Sequence, residues 1–153
     1  MRPIKGIIVE KELSFEINGS FYDVYNEFGF GLTEPLYARA LEIALRAKGL
    51  LVEREYPVVV RFRGQQIGFR RIDMLVQRQI VVEIKATERL ADSARQQLRC
   101  YVIITGLPLG ILLHFGPVPK IYRELGTSAN GFGAAGPRTA GTAELDECNE
   151  SDE

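Results

Sequence analysis

The 153-residue chain has two cysteines, one histidine and no long apolar run. Cys100 and Cys148 form neither a metal-type pair nor a disulfide framework, which points to a reducing compartment. His114 stands alone in an apolar segment, with no second histidine and no placed serine or cysteine, so triad hydrolysis has no support. No stretch nears the roughly 18 apolar residues of a membrane span. The N-terminal residues lack the apolar centre of a secretory signal. The expected location is therefore the cytoplasm. Charge of one sign is also lacking overall, at −1, but it is unevenly spread. Residues 126–153 carry six acids against one base, leaving 14 acids and 18 bases, a net +4, for residues 1–125. A mildly basic body suits a polyanion partner.

What is present divides the chain in two. Residues 126–153 are Gly, Ala, Thr, Ser and acid, with Phe132 and Leu145 as the large apolar residues. Such a segment buries too little to order itself, and a disordered acidic tail is expected. Its GxGxxG at 131–136 has no strand before it and no periodic helix after it, which rules out a dinucleotide loop.

Residues 1–125 read as one domain. Residues 1–12 suggest a short strand or arm. Ile17, Phe21, Val24 and Phe28 recur at helical spacing over 14–29. A stronger helix follows, with Thr33 as cap, Pro35 in the first turn and Gly49 as stop. Its apolar stripe is expected on Leu36, Ala40, Ile43 and Ala47, widened by Tyr37, Leu41, Ala44 and Leu45. Three strands are expected at 56–63, 68–76 and 79–86, then a helix at 89–104, a strand at 109–116 and an edge strand at 119–125. This order argues for an α/β fold without a Rossmann alternation.

The hairpin over 70–86 carries the chemistry. A three-residue turn at Gln77, Arg78 and Gln79 makes positions i and j face each other when they sum to 156. Val76 then meets Ile80, Met74 meets Val82 and Ile72 meets Ile84, one wholly apolar face. On the other face Asp73 meets Glu83 and Arg71 meets Lys85. Two carboxylates so placed lie about 4.5–5.5 Å apart at Cβ and repel unless a cation sits between them. Mg²⁺, with Mn²⁺ able to replace it, suits a pair of carboxylates completed by water and phosphate oxygens. Lys85 points the same way and can hold a water or steady phosphate charge. Other readings stand beside this one. Arg71 could pair with Glu83, and Lys85 with Asp73, as plain cross-strand salt bridges. A turn of two or four residues would put the carboxylates on opposite faces. Glu34 could simply complement a helix dipole, and Gln97 could be a surface polar residue. Arg61 and Arg63, on one strand face, are candidates for phosphate contact, as are Arg70, Arg71, Arg78, Arg89, Arg95 and Arg99.

The segments NEFGFGLTEPLYARAL (26–41), GFRRIDMLV (68–76), IVVEIKA (80–86), QLRCYVIITG (97–106) and LGILLHFG (109–116) together resemble the GxxExxY proteins. These are a bacterial family within the PD-(D/E)xK nuclease superfamily. The naming motif stands as Gly31-x-x-Glu34-x-x-Tyr37. The resemblance implies a restriction-endonuclease-like α-β-β-β-α-β core, a mixed sheet flanked by helices. It implies metal ligation by Asp73, Glu83, the Ile84 carbonyl and Glu34. Lys85 corresponds to the catalytic lysine, and Gln97 to an accessory polar position. Tyr25, and Ala94 with Arg95, stand where related proteins often carry a His or an acid. The implied function is Mg²⁺-dependent hydrolysis of phosphodiester bonds, with DNA ahead of RNA as partner and a homodimer as one assembly. The alternatives are a non-cleaving nucleic-acid or protein-binding domain, or a module whose acidic tail covers its basic face.

Overall fold

The structure is a computed structural model and describes residues 10–126. The expected arm before Glu10, the GxGxxG segment and the acidic tail, apart from Gly126, lie outside the described residues. Helix α1 spans Glu10–Phe28 and α2 spans Glu34–Ala47. Strands β1 (Val52–Phe62), β2 (Gln65–Val76) and β3 (Ile80–Lys85) follow, then α3 (Asp92–Thr105), β4 (Leu109–Phe115) and β5 (Pro119–Leu125). The five strands form one sheet in the order β1-β2-β3-β4-β5. Only β3 and β4 run parallel, because α3 supplies the crossover between them; the other neighbours are antiparallel. The run α2-β1-β2-β3-α3-β4 is the expected core, in the expected mixed sheet.

Helices cover both faces. Leu13, Ile17, Phe21 and Val24 of α1 and Tyr37, Leu41 and Leu45 of α2 pack on Met74, Val76, Ile80, Val82 and Ile84. Ala94, Leu98 and Tyr101 of α3 pack on the other face, against Val58, Ile72, Leu75, Val81 and Leu112. Strand β4 is buried along its whole length, as a central strand under helices on both sides should be.

Several expectations need correction. The first helix begins at Glu10, so residues 10–12 are helix rather than arm, and Phe28 is exposed. In α2 the buried line is Tyr37-Leu41-Leu45 with Ala38, whereas Leu36 and Ile43 face outward. Both lines have apolar residues at helical spacing; Tyr37 decides between them, stacking its ring on Phe115 with centroids 4.1 Å apart. Thr33 holds the cap position but makes no side-chain cap bond. Strand β1 starts four residues early, at Val52, across a polar Glu53-Arg54-Glu55 run. Helix α3 starts at Asp92, three residues late. Arg63 sits with Gly64 in the β1–β2 turn, both at positive φ, so it does not share the strand with Arg61.

Candidate metal centre and basic cleft

The β2–β3 turn has three residues. Gln77 and Arg78 take left-handed φ values of 54° and 53°, and the Gln79 N–H donates to the Val76 carbonyl. The register is therefore Val76↔Ile80, Leu75↔Val81 and Met74↔Val82, each pair summing to 156 as expected. There the ladder stops. Beyond Met74 the strands part, and side chains take over the backbone groups. The Asp73 N–H donates to Glu83 Oε1 at 3.2 Å, and the Ile84 N–H donates to Asp73 Oδ2 at 3.0 Å. Each carboxylate is thus fixed by the other's strand, and the two are brought together.

A change of face accompanies the split. Met74 packs under α1 and α2, but Ile72, two residues away, packs under α3. A regular strand keeps alternate residues on one side, so the expected Ile72–Ile84 contact on one apolar face does not form. The partner strand shows the cause. Glu55, opposite Asp73 between the pairs Arg54↔Met74 and Tyr56↔Ile72, has φ of 51°. Left-handed backbone at a non-glycine residue breaks the alternation and is costly enough to need support from its surroundings.

The candidate side chains divide between two hollows. Asp73, Ile84 and Glu34 line a pocket of about 220 Å³ on the α2 side, together with Arg54 and Glu55. Glu34 is carried there by the α1–α2 loop. In that loop Gly29 and Gly31 have positive φ, and the Tyr37 hydroxyl donates to the Gly29 carbonyl while accepting the Leu32 N–H. Lys85 and Gln97 line a cleft of about 610 Å³ against α3, with Arg70, Arg89 and Tyr101. The cleft lining contains three cations and no acid.

Glu83 is 2% exposed and lines neither hollow. Burial first, and the Asp73 charge second, push its carboxyl up to about 9, against the opposing pull of the Asp73 N–H and of Lys85. Tyr101 is also raised, chiefly by burial and next by the charge of Glu83. Its hydroxyl accepts from Gln97 Nε2 at 2.8 Å. Gln97 therefore reaches the site through Tyr101.

The rival salt pairs do not form: among the described residues neither Arg71–Glu83 nor Lys85–Asp73 is an ion pair. His114 is buried and satisfied, with Nε2 2.7 Å from the Thr87 carbonyl oxygen. Among the described residues no three His, Cys, Asp or Glu side chains close on one point. Glu34 thus shares a pocket with Asp73 without completing a three-carboxylate set.

The donors nevertheless fit a hard divalent cation. They are oxygens only, and the buried Glu83 carboxyl, pushed up to about 9 by its burial and the neighbouring Asp73 charge, holds a proton at neutral pH. That is the arrangement a cation relieves by replacing the proton. Sequence reasoning missed Glu55, Arg54 and Tyr101. The spacing of Gln97 and Tyr101, four apart on one helix, was the available signal for the last, since a buried tyrosine hydroxyl needs a polar partner.

No curated protein matches the chain. A solved structure titled "Crystal structure of SSO0001" is similar at 21% identity and a TM-score of 0.49, over 76% of this chain and 59% of that one. This chain thus spans well under two thirds of that structure's length. The family comparison reaches further: the profile of the PD-(D/E)XK nuclease superfamily matches residues 11–125, from the second residue of α1 to the last of β5. That span contains the mixed sheet, the parting strands and the Asp73, Glu83 and Lys85 constellation. The chain belongs to the PD-(D/E)XK nuclease superfamily.

Proposed function

We propose that this protein is a Mg²⁺- or Mn²⁺-dependent nuclease of the GxxExxY type that hydrolyses phosphodiester bonds in nucleic acid. The supporting observation is the crossed pair of bonds at the end of the β2–β3 ladder. It holds the Asp73 and Glu83 carboxylates together, two residues from Lys85. In this reading Asp73, Glu83 and the Ile84 carbonyl hold the cation, with Glu34 joining from the α2 side. When bound, the cation supplies charge neutralisation at the phosphate and a water of lowered pKa.

The remaining work falls to the chain's own side chains. Lys85, beside the pair and open to the basic cleft, orients the attacking water and steadies the negative charge on the phosphoryl oxygens. Gln97 fixes the Tyr101 hydroxyl, and the two keep the cleft wall polar beside Glu83. Arg70 and Arg89 position neighbouring phosphates.

A second reading has one observation behind it. Because Glu34 does not close with Asp73 and Glu83, the scaffold would also suit a domain that binds nucleic acid without cutting it. One assay separates the two. Purified protein should nick plasmid or fluorescent oligonucleotide substrates with Mg²⁺ or Mn²⁺, and Asp73→Asn and Lys85→Met should abolish the nicking. Cleavage that survives both changes refutes the site. Binding without turnover in either ion favours the second reading.

A further inference from the structure

Strand β2 runs from Gln65, yet it pairs with β3 only over Met74–Val76. Beyond the pair Arg54↔Met74, residues 56–72 of β1 and β2 therefore continue as a two-stranded ribbon past the body of the sheet. Its base is anchored, since Val58 and Ile72 are buried under α3. Its outer part is not: from Val59 to Arg71 no residue is buried. Val59, Phe62, Ile67 and Phe69 are all exposed on this two-stranded projection, with Val59 and Phe69 directly paired, an apolar set of the kind that marks interaction surfaces.

The charge of the ribbon is of one sign. From Tyr56 to Ile72 there are four arginines, Arg61, Arg63, Arg70 and Arg71, and no acid. Among the described residues none of the four has an acidic partner. The chain's other ion-paired arginines show that acids were available elsewhere: Arg78 is 2.9 Å from Glu53, and Arg99 is 2.9 Å from Glu124. Arg63 instead lies over the Phe62 ring at 5.0 Å, at the ribbon tip. Arg70 belongs both to the ribbon and to the lining of the cleft that holds Lys85, so the basic ribbon starts at the candidate site.

We propose that this ribbon is a groove-docking arm for duplex DNA. The inference rests on the nuclease reading for its partner class and names the substrate as double-stranded DNA. The dimensions favour DNA over RNA. The free part from Val59 to Phe62 is about 13 Å long and the two strands lie about 4.8 Å apart. The major groove of B-form DNA, about 12 Å wide and 8.5 Å deep, admits a two-stranded ribbon. The major groove of an A-form RNA helix is too narrow for it. In the groove, arginines meet phosphates and guanine edges, while Phe62, Ile67 and Phe69 meet sugars and thymine methyl groups.

The test is fluorescence anisotropy with a 20-base-pair DNA duplex and an RNA duplex of the same sequence, in EDTA, across a salt series. Arg61→Gln/Arg63→Gln should weaken DNA binding at least about tenfold near 0.1 M salt and flatten the log–log salt slope by about 1.8, whereas Arg61→Lys/Arg63→Lys keeps the slope. RNA duplex binding should be weaker than DNA binding and move little with either change. Unchanged DNA affinity in the glutamine variant overturns the proposal, as does an equal loss on RNA. So does a shift of the glutamine variant from dimer to monomer on gel filtration with DNA affinity intact, which would make the ribbon a subunit contact. Because EDTA removes turnover, ribbon-dependent binding by a protein that never cuts sinks the nuclease reading alone. Cutting that ignores the ribbon sinks the docking arm alone.

Discussion

Glu83 is where burial, charge and chemistry meet. Its carboxyl titrates at about 9 in the fold against 4.5 when exposed. Between those values the native state holds a proton that the unfolded chain has released. Stability from this group is therefore fully present below about 4.5 and falls as pH rises toward 9. Thermal unfolding in EDTA should show Tm declining from pH 5.5 to 8.5. Glu83→Gln should flatten that decline, and a slope unchanged by the substitution would mean that Glu83 is not the group responsible. Lys85 sits two residues on, lines the basic cleft and forms no ion pair among the described residues. Lys85→Met should take cleavage below detection, a loss of at least about 10²-fold, as when one transition-state contact is lost. Ion binding by that variant, followed by calorimetry, should persist. A variant that loses the ion as well would make the lysine a structural partner of the carboxylates.

At the scale of elements, α2 offers a direct check on how packing overrode spacing. Leu41 is fully buried and Ile43 is 55% exposed. Leu41→Ala should cost about 2–5 kcal/mol, and Ile43→Ala should stay within about 0.5 kcal/mol, both read from urea unfolding midpoints. Equal losses would restore the stripe that spacing alone suggests. The β2–β3 hairpin was legible because a three-residue turn and alternating apolar residues fix its register, and the pairs from Met74↔Val82 to Val76↔Ile80 follow. The parting of the strands beyond Met74 was not legible. It coincides with the left-handed Glu55 of the neighbouring strand, a backbone state that no periodicity reports. For the same reason Ile72 was assigned to the wrong face, and the polar Glu53-Arg54-Glu55 run hid the start of β1. The α3 start was misplaced because Leu90 continues the apolar spacing, although the helix begins only after Ala91.

For the whole molecule, the order of helices and strands and the mixed sheet were readable from periodicity, caps and turns, and the family profile over residues 11–125 agrees with them. The approach of Asp73 to Glu83 was readable from the hairpin register, but the division of the candidate residues between two hollows was not. Asp73 and Glu34 line the pocket on the α2 side, Lys85 and Gln97 line the cleft against α3, and the buried Glu83 accepts the Asp73 N–H. In the proposed function, a substrate strand in the basic cleft against α3 meets Lys85 directly, while Glu83 stays shielded from bulk water. Net cleavage should therefore be salt-sensitive through the cleft cations Arg70 and Arg89. Arg89→Gln should raise KM for a DNA substrate several-fold with a smaller change in kcat. A fall in kcat alone would place Arg89 at the reacting phosphate.

Calorimetric titration of Mn²⁺ at pH 7, repeated in two buffers of different ionisation enthalpy, tests most directly whether Asp73 and Glu83 share a cation. The wild-type protein should bind the ion and release about one proton as Glu83 ionises. Asp73→Asn should abolish the binding heat, and Glu83→Gln should remove the proton release. No Mn²⁺ heat in the wild type, or undiminished heat in both variants, would contradict the shared site.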